Sequence, residues 1–206
     1  MSLLQGIYLE RTALWAVTTL LRSTDVVLLG EGGLRLAPRM VWTDVAAFGS
    51  LEARAWTDLP GSRRNGDLTG GRQSDEGSDE AFACAQRAIA LYRGPLLGTL
   101  ALSAPARALS EQLARRFSRL VIGHGRALET RGHWREAADV YEQGLARDSL
   151  AEPIYRALMR VLLQLGERAE AMRTFARCRD LLTSALGVTP SRETWALREQ
   201  AAGPQP

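Results

Sequence analysis

Residues 132–141 read Gly132-His133-Trp134-Arg135-Glu136-Ala137-Ala138-Asp139-Val140-Tyr141, and residues 166–175 read Gly166-Glu167-Arg168-Ala169-Glu170-Ala171-Met172-Arg173-Thr174-Phe175. Both follow one pattern: glycine, three residues, Glu-Ala, three residues, an aromatic ring. The second copy lies 34 residues after the first. A repeat of that length is the mark of stacked helix–turn–helix units. Gly132 and Gly166 turn the chain between antiparallel helices. Ala137 and Ala171 are small enough to let those helices approach closely, and Tyr141 and Phe175 fill the space between successive hairpins. Two units leave apolar faces uncovered, so helices on either side must act as outer layers.

Those neighbours are readable. Periodicity and stop signals predict helices near 80–92, 105–130, 134–146, 151–165, 168–185 and 190–201. Pro105 and Pro190 suit first-turn positions. Ser149-Leu150-Ala151-Glu152 has capping-box spacing, and Gly132, Gly166 and Gly187 stand where helices stop. The expected fold is mainly α, a tetratricopeptide-like stack of helical hairpins over residues 80–201.

Before the stack, residues 58–79 are rich in glycine, serine, asparagine and charge, and predict a flexible linker or loop. Residues 1–57 read differently. Leu9, Ala13, Ala16, Val17, Leu20 and Leu21 share a helical face. Val26–Leu29 reads as a strand, Gly30–Gly33 as a turn and Leu34–Leu36 as a second strand. Thr43-Asp44 predicts the N-terminus of a helix running to about Trp56. This piece is a helix, a β-hairpin and a connector helix.

Composition limits the function. The chain has 206 residues, 46% hydrophobic and 24% charged, as an ordinary globular protein does. All 26 basic residues are arginine, which indicates GC-rich coding bias, so a cluster of arginines is weaker evidence of function than usual. Charge is uneven: net 0 over 1–57, −3 over 58–80 and +6 over 81–206. Two cysteines, Cys84 and Cys178, form neither a metal spacing nor a disulfide framework. Two histidines, His124 and His133, exclude a multi-histidine metal site. Nucleotide, dinucleotide, zinc-protease and nucleophile-elbow motifs are absent, so neither an enzyme nor a cofactor is expected. The apolar run Thr12–Leu21 is too short to span a bilayer and lacks a cleavage signal, so the expectation is a cytoplasmic protein with no membrane partner.

Several motifs together resemble the bacterial transcriptional activator domain. Leu91-Tyr92-Arg93-Gly94-Pro95-Leu96-Leu97 is similar to its L-Y-x-G-x-[FL]-L opening. Glu152-x-x-Tyr155-Arg156-x-Leu158-Met159, Gly166–Ala171 and Leu186-Gly187-Val188-x-Pro190-Ser191-x-x-Thr194 follow in the family's order. The resemblance covers about residues 80–198. In that family the helical domain follows a winged-helix DNA-binding domain, and Gly30–Leu36 and Val41-Trp42-Thr43-Asp44-x-x-x-Phe48 are similar to its wing and connector. The helix near 9–22 then falls at the recognition-helix position. About nine residues precede it, fewer than a whole winged helix needs, and Ala16, Thr18 and Thr19 stand where relatives carry arginines.

The resemblance implies transcriptional regulation. The helical domain would mediate oligomer or partner contacts, and a partial winged helix over 1–57 would touch double-stranded DNA through Arg11, Thr18, Thr19, Arg22, Arg35 and Arg39. The alternative is a protein-interaction adaptor with no DNA binding. Within the helical domain, Arg156 and Arg160, with Arg173 and Arg177 on the next helix, form a candidate surface for an acidic partner. Arg115, Arg116 and Arg119 form a second such stripe. The plainer account of both is a solvated face with i,i+4 partners such as Glu152 and Arg156. Trp134 and Trp195, His124 and both cysteines read as packing residues, and His133 as exposed.

Overall fold

The computed structural model describes residues 27–30, 33–36, 43–56, 75–95 and 104–203; for 27–30, 33–36 and 75–78 it gives the backbone alone. The described residues form a two-stranded hairpin and seven helices packed as hairpins. β1 (Val27–Gly30) pairs antiparallel with β2 (Gly33–Leu36), Gly30 opposite Gly33, leaving a two-residue connection as the glycines predict. The helix expected near 9–22 lies outside the described residues.

The chain divides into two compact units between Ala47 and Phe48. α1 (Asp44–Ala55) starts as expected, with the Ala46 amide donating to Thr43 Oγ1 at 3.2 Å. Most of it belongs to the larger unit, whereas the sequence reading ended the first segment at residue 57. The reason is its inward face. Phe48 and Glu52 are buried, and Arg116 Nε donates to the Glu52 carboxylate at 2.7 Å. A second correction concerns the linker. α2 (Asp75–Leu91) begins inside the stretch expected to be flexible, because Ala81, Cys84, Ala85, Ala88 and Ile89 supply a buried stripe that the acidic first turn extends.

The stack follows: α3 (Ala104–Thr130), α4 (Trp134–Arg147), α5 (Glu152–Gln164), α6 (Arg168–Leu186) and α7 (Arg192–Ala202). Each helix packs on the next, and α3, α5 and α7 also touch in series, forming one layer. The repeat is exact at its turns. Gly132 and Gly166 adopt φ of 79° and 78°, the left-handed conformation that favours glycine. After each, the same two bonds close the helix: His133 N to Leu128 O at 3.0 Å and Gly132 N to Glu129 O at 3.0 Å, then Glu167 N to Leu162 O at 2.8 Å and Gly166 N to Leu163 O at 3.1 Å.

Between the helices, glycine does a different job. A Cβ on Gly125 would overlap the ring of Tyr141, and one on Gly144 would lie 2.7 Å from Val121. Tyr141 is fully buried and donates its hydroxyl hydrogen to Glu129. α5 is buried nearly all round, through Ile154, Tyr155, Ala157, Leu158, Met159, Val161 and Leu162. The expected capping box is absent: Ala151 caps α5, and no side chain caps it. Glu152 instead accepts from Ser191 N at 2.7 Å and Thr194 Oγ1 at 2.5 Å, fastening the start of α7 to the start of α5. At the other end of α7, Arg168 donates to the carbonyls of Ala201 and Gln200 at 3.0 and 3.2 Å.

His124 is fully buried beside Phe82, its ring edge-on at 4.9 Å, and neither ring nitrogen has a hydrogen-bond partner among the described residues. Burial, and then the charge of Arg131, pull its pKa down to about 4. Burial likewise pushes the Cys178 thiol up to about 12, so it stays protonated.

Two outcomes are expected. Gly125→Ala forces a methyl into the Tyr141 ring and destabilises the fold by about 2 kcal/mol; a thermal melt should fall by several degrees, and an unchanged midpoint would mean α3 and α4 are not so closely set. The second concerns acid. The unfolded chain protonates His124 below about pH 6.5, while the folded chain resists until about pH 4, so stability is lost as pH falls through that window, by up to about 3 kcal/mol. Urea unfolding at pH 7 and pH 4.5 should show a smaller loss in His124→Leu than in the natural protein.

Candidate protein-interaction groove

α5 has one solvent-facing stripe. Pro153, Arg160 and Gln164 are exposed and Arg156 half-buried, at helical spacing, while Ile154, Tyr155, Ala157, Leu158, Met159, Val161 and Leu162 are core. The stripe opens into a concavity on the layer made by α3, α5 and α7. One lobe, of about 490 Å³, runs between Arg126 of α3, Arg156 and Arg160 of α5, and Glu193 and Leu197 of α7. A second, of about 480 Å³, runs between Arg115, Ser118 and Arg119 of α3 and the turn at Asp148 and Ala151. Ile122 and Pro153 line both lobes, so the two are neighbours.

The electrostatics are one-sided. Arg115 faces Glu111 at 3.7 Å, and Arg156 donates to Ser191 Oγ at 3.0 Å and lies 3.8 Å from Glu152. Arg119, Arg126 and Arg160 are exposed and form no ion pair among the described residues. Of the carboxylates, burial raises Asp148 above the ordinary range, against a backbone hydrogen bond from Leu150. Burial would raise Glu152 too, but hydrogen bonds from the Ser191 and Thr194 side chains and the Ser191 amide, with the charge of Arg156, hold it below the ordinary value.

The sequence-predicted surface is therefore split. Arg156 and Arg160 lie in the groove. Arg173 and Arg177 do not line it: Arg173 pairs with Glu170, and Arg177 reaches Glu142 of α4 at 2.9 Å and lies over the Tyr155 ring. Of the second stripe, Arg115 and Arg119 line the groove, while Arg116 is committed to buried Glu52. Sequence reasoning missed Arg126, although Arg115, Arg119, Ile122 and Arg126 fall at i, i+4, i+7 and i+11 on one face of α3. Trp195 packs edge-on against Phe175 at 4.8 Å and is 38% exposed. Trp134 is half-buried and His133 exposed.

Arg11, Thr18, Thr19, Arg22 and Arg39 lie outside the described residues. Arg35 sits on β2 opposite Leu28. Among the described residues there is no group of His, Cys, Asp and Glu able to hold a metal, and no helix is long and apolar enough to cross a membrane.

The curated proteins searched contain no match to the chain. The family model for the bacterial transcriptional activator domain matches residues 62–201, starting inside the stretch expected as linker and leaving residues 1–61 unmatched. The family is non-enzymatic. With a match over more than half its length, the chain belongs to the bacterial transcriptional activator domain family.

Proposed function

We propose that the chain is a transcription regulator in which the helical stack holds a protein partner or a second copy, while residues 1–57 add weak contacts to DNA phosphates. In this reading a DNA-contact piece leads into the activator domain. The observation that carries the reading is the family match over residues 62–201, supported by a stack that leaves an open, charged groove on the layer of α3, α5 and α7. The role of residues 1–57 is supported by the hairpin at 27–36 and by the motif at Val41–Phe48. Arg11, Arg22, Arg35 and Arg39 offer at most four phosphate contacts, so DNA affinity would gain from oligomer assembly. A cytoplasmic location accords with this role.

A second reading has its own support. Residues 1–57 carry no net charge, and Ala16, Thr18 and Thr19 replace expected arginines. Those features favour an adaptor that works through protein contacts alone.

Fluorescence anisotropy of the full chain with mixed-sequence duplex DNA, at two salt concentrations, separates the two. The regulator reading expects binding that weakens with salt, with the salt slope reduced by up to about 3 in the Arg11→Ala, Arg22→Ala, Arg35→Ala variant. Sedimentation of the same sample reports self-association. No binding at low salt would remove DNA contact from the function and leave the adaptor.

A further inference from the structure

The groove combines an apolar floor with three exposed arginines, Arg119, Arg126 and Arg160, that form no ion pair among the described residues. We propose that it docks an acidic peptide segment of a partner protein, with an apolar side chain of that segment seated on the floor. This rests on the reading of the helical stack as a partner-contact module and names the chemistry of the partner. Arg119, Arg126 and Arg160 are exposed along the groove and form no ion pair among the described residues. The floor is Ile122, shared by both lobes, with Pro153 beside it and Leu197 at the α7 wall. Spaced guanidinium groups around an apolar centre complement spaced carboxylates around an apolar anchor.

Nucleic acid fits less well. Duplex phosphates would use the arginines but leave the apolar floor unfilled. A single strand needs aromatic platforms for its bases, and among the described residues no aromatic lines either lobe. Lobes of this size accept side chains of a peptide. Asp148 lines one lobe and Glu193 the other, and neither forms an ion pair with Arg119, Arg126 or Arg160 among the described residues.

The test is selection of short randomised peptides displayed on phage against the immobilised full chain. Enriched peptides are then measured by anisotropy against the natural protein, the Arg119→Glu, Arg126→Glu, Arg160→Glu variant, and Arg173→Glu, which lies outside the groove. The expected result is enrichment of Asp/Glu around a large apolar residue. Binding should weaken by about tenfold or more in the triple variant and be unchanged in Arg173→Glu. Circular dichroism checks the fold, and Arg160→Glu alone should give a smaller loss should the triple variant unfold. The proposal is overturned if no peptide is enriched, if the enriched peptides lack acidic residues, if charge reversal leaves affinity intact, or if duplex DNA displaces the peptide. A chain that selects acidic peptides yet neither binds DNA nor self-associates would retain the groove as the site of an adaptor. DNA binding with self-association and no peptide selection would sink the groove alone.

Discussion

The close approach of α3 and α4 governs the rest of the stack. Gly125 gives up its side chain so that the Tyr141 ring can lie against the α3 backbone, and Gly144 does the same for Val121. A ring buried this deeply must satisfy its hydroxyl, and Glu129 accepts that hydrogen one turn away from Gly125. With the first hairpin closed this tightly, α5 has no choice but to fill the next layer. It does so with a nearly continuous apolar surface. Every later element then inherits its position from α5.

That inheritance explains why polar surface on α5 is informative. A helix buried on most sides keeps solvent-facing residues only where no neighbour covers it, and here that is one stripe of Pro153, Arg156, Arg160 and Gln164. The stripe faces the α3–α5–α7 layer. By contrast, the arginines of α6 meet carboxylates on their own helix and on α4, as ordinary solvated helices do. The same residue type thus has two fates in adjacent helices, decided by what packs around each.

The helical half of the fold was legible because its signals are local. Glycine at 132 and 166 dictates a left-handed residue, and alanine and aromatic spacing dictates one apolar face; neither depends on distant chain. What was not legible depended on partners far away in sequence. Glu152 looked like a cap residue, yet its carboxylate meets Ser191 and Thr194. Arg116 looked like part of a surface stripe, yet Glu52 waits for it 64 residues earlier. The acidic start of α2 read as linker because residues 75–80 carry charge and no apolar residue, although the stripe from Ala81 onward lies in the expected helix. The groove was half legible: the face of α3 is periodic, but only packing reveals that it opposes α5 across a cleft.

The anchoring of α7 has a thermodynamic consequence. This helix forms one wall of the groove and is held at its start by the Glu152 carboxylate and at its end by Arg168 on two carbonyls. A wall tied at both ends loses little freedom when the cleft is filled. The entropy cost of occupancy then falls on the guest chain, and a guest already stiff in its bound shape gains the most from such a receptor.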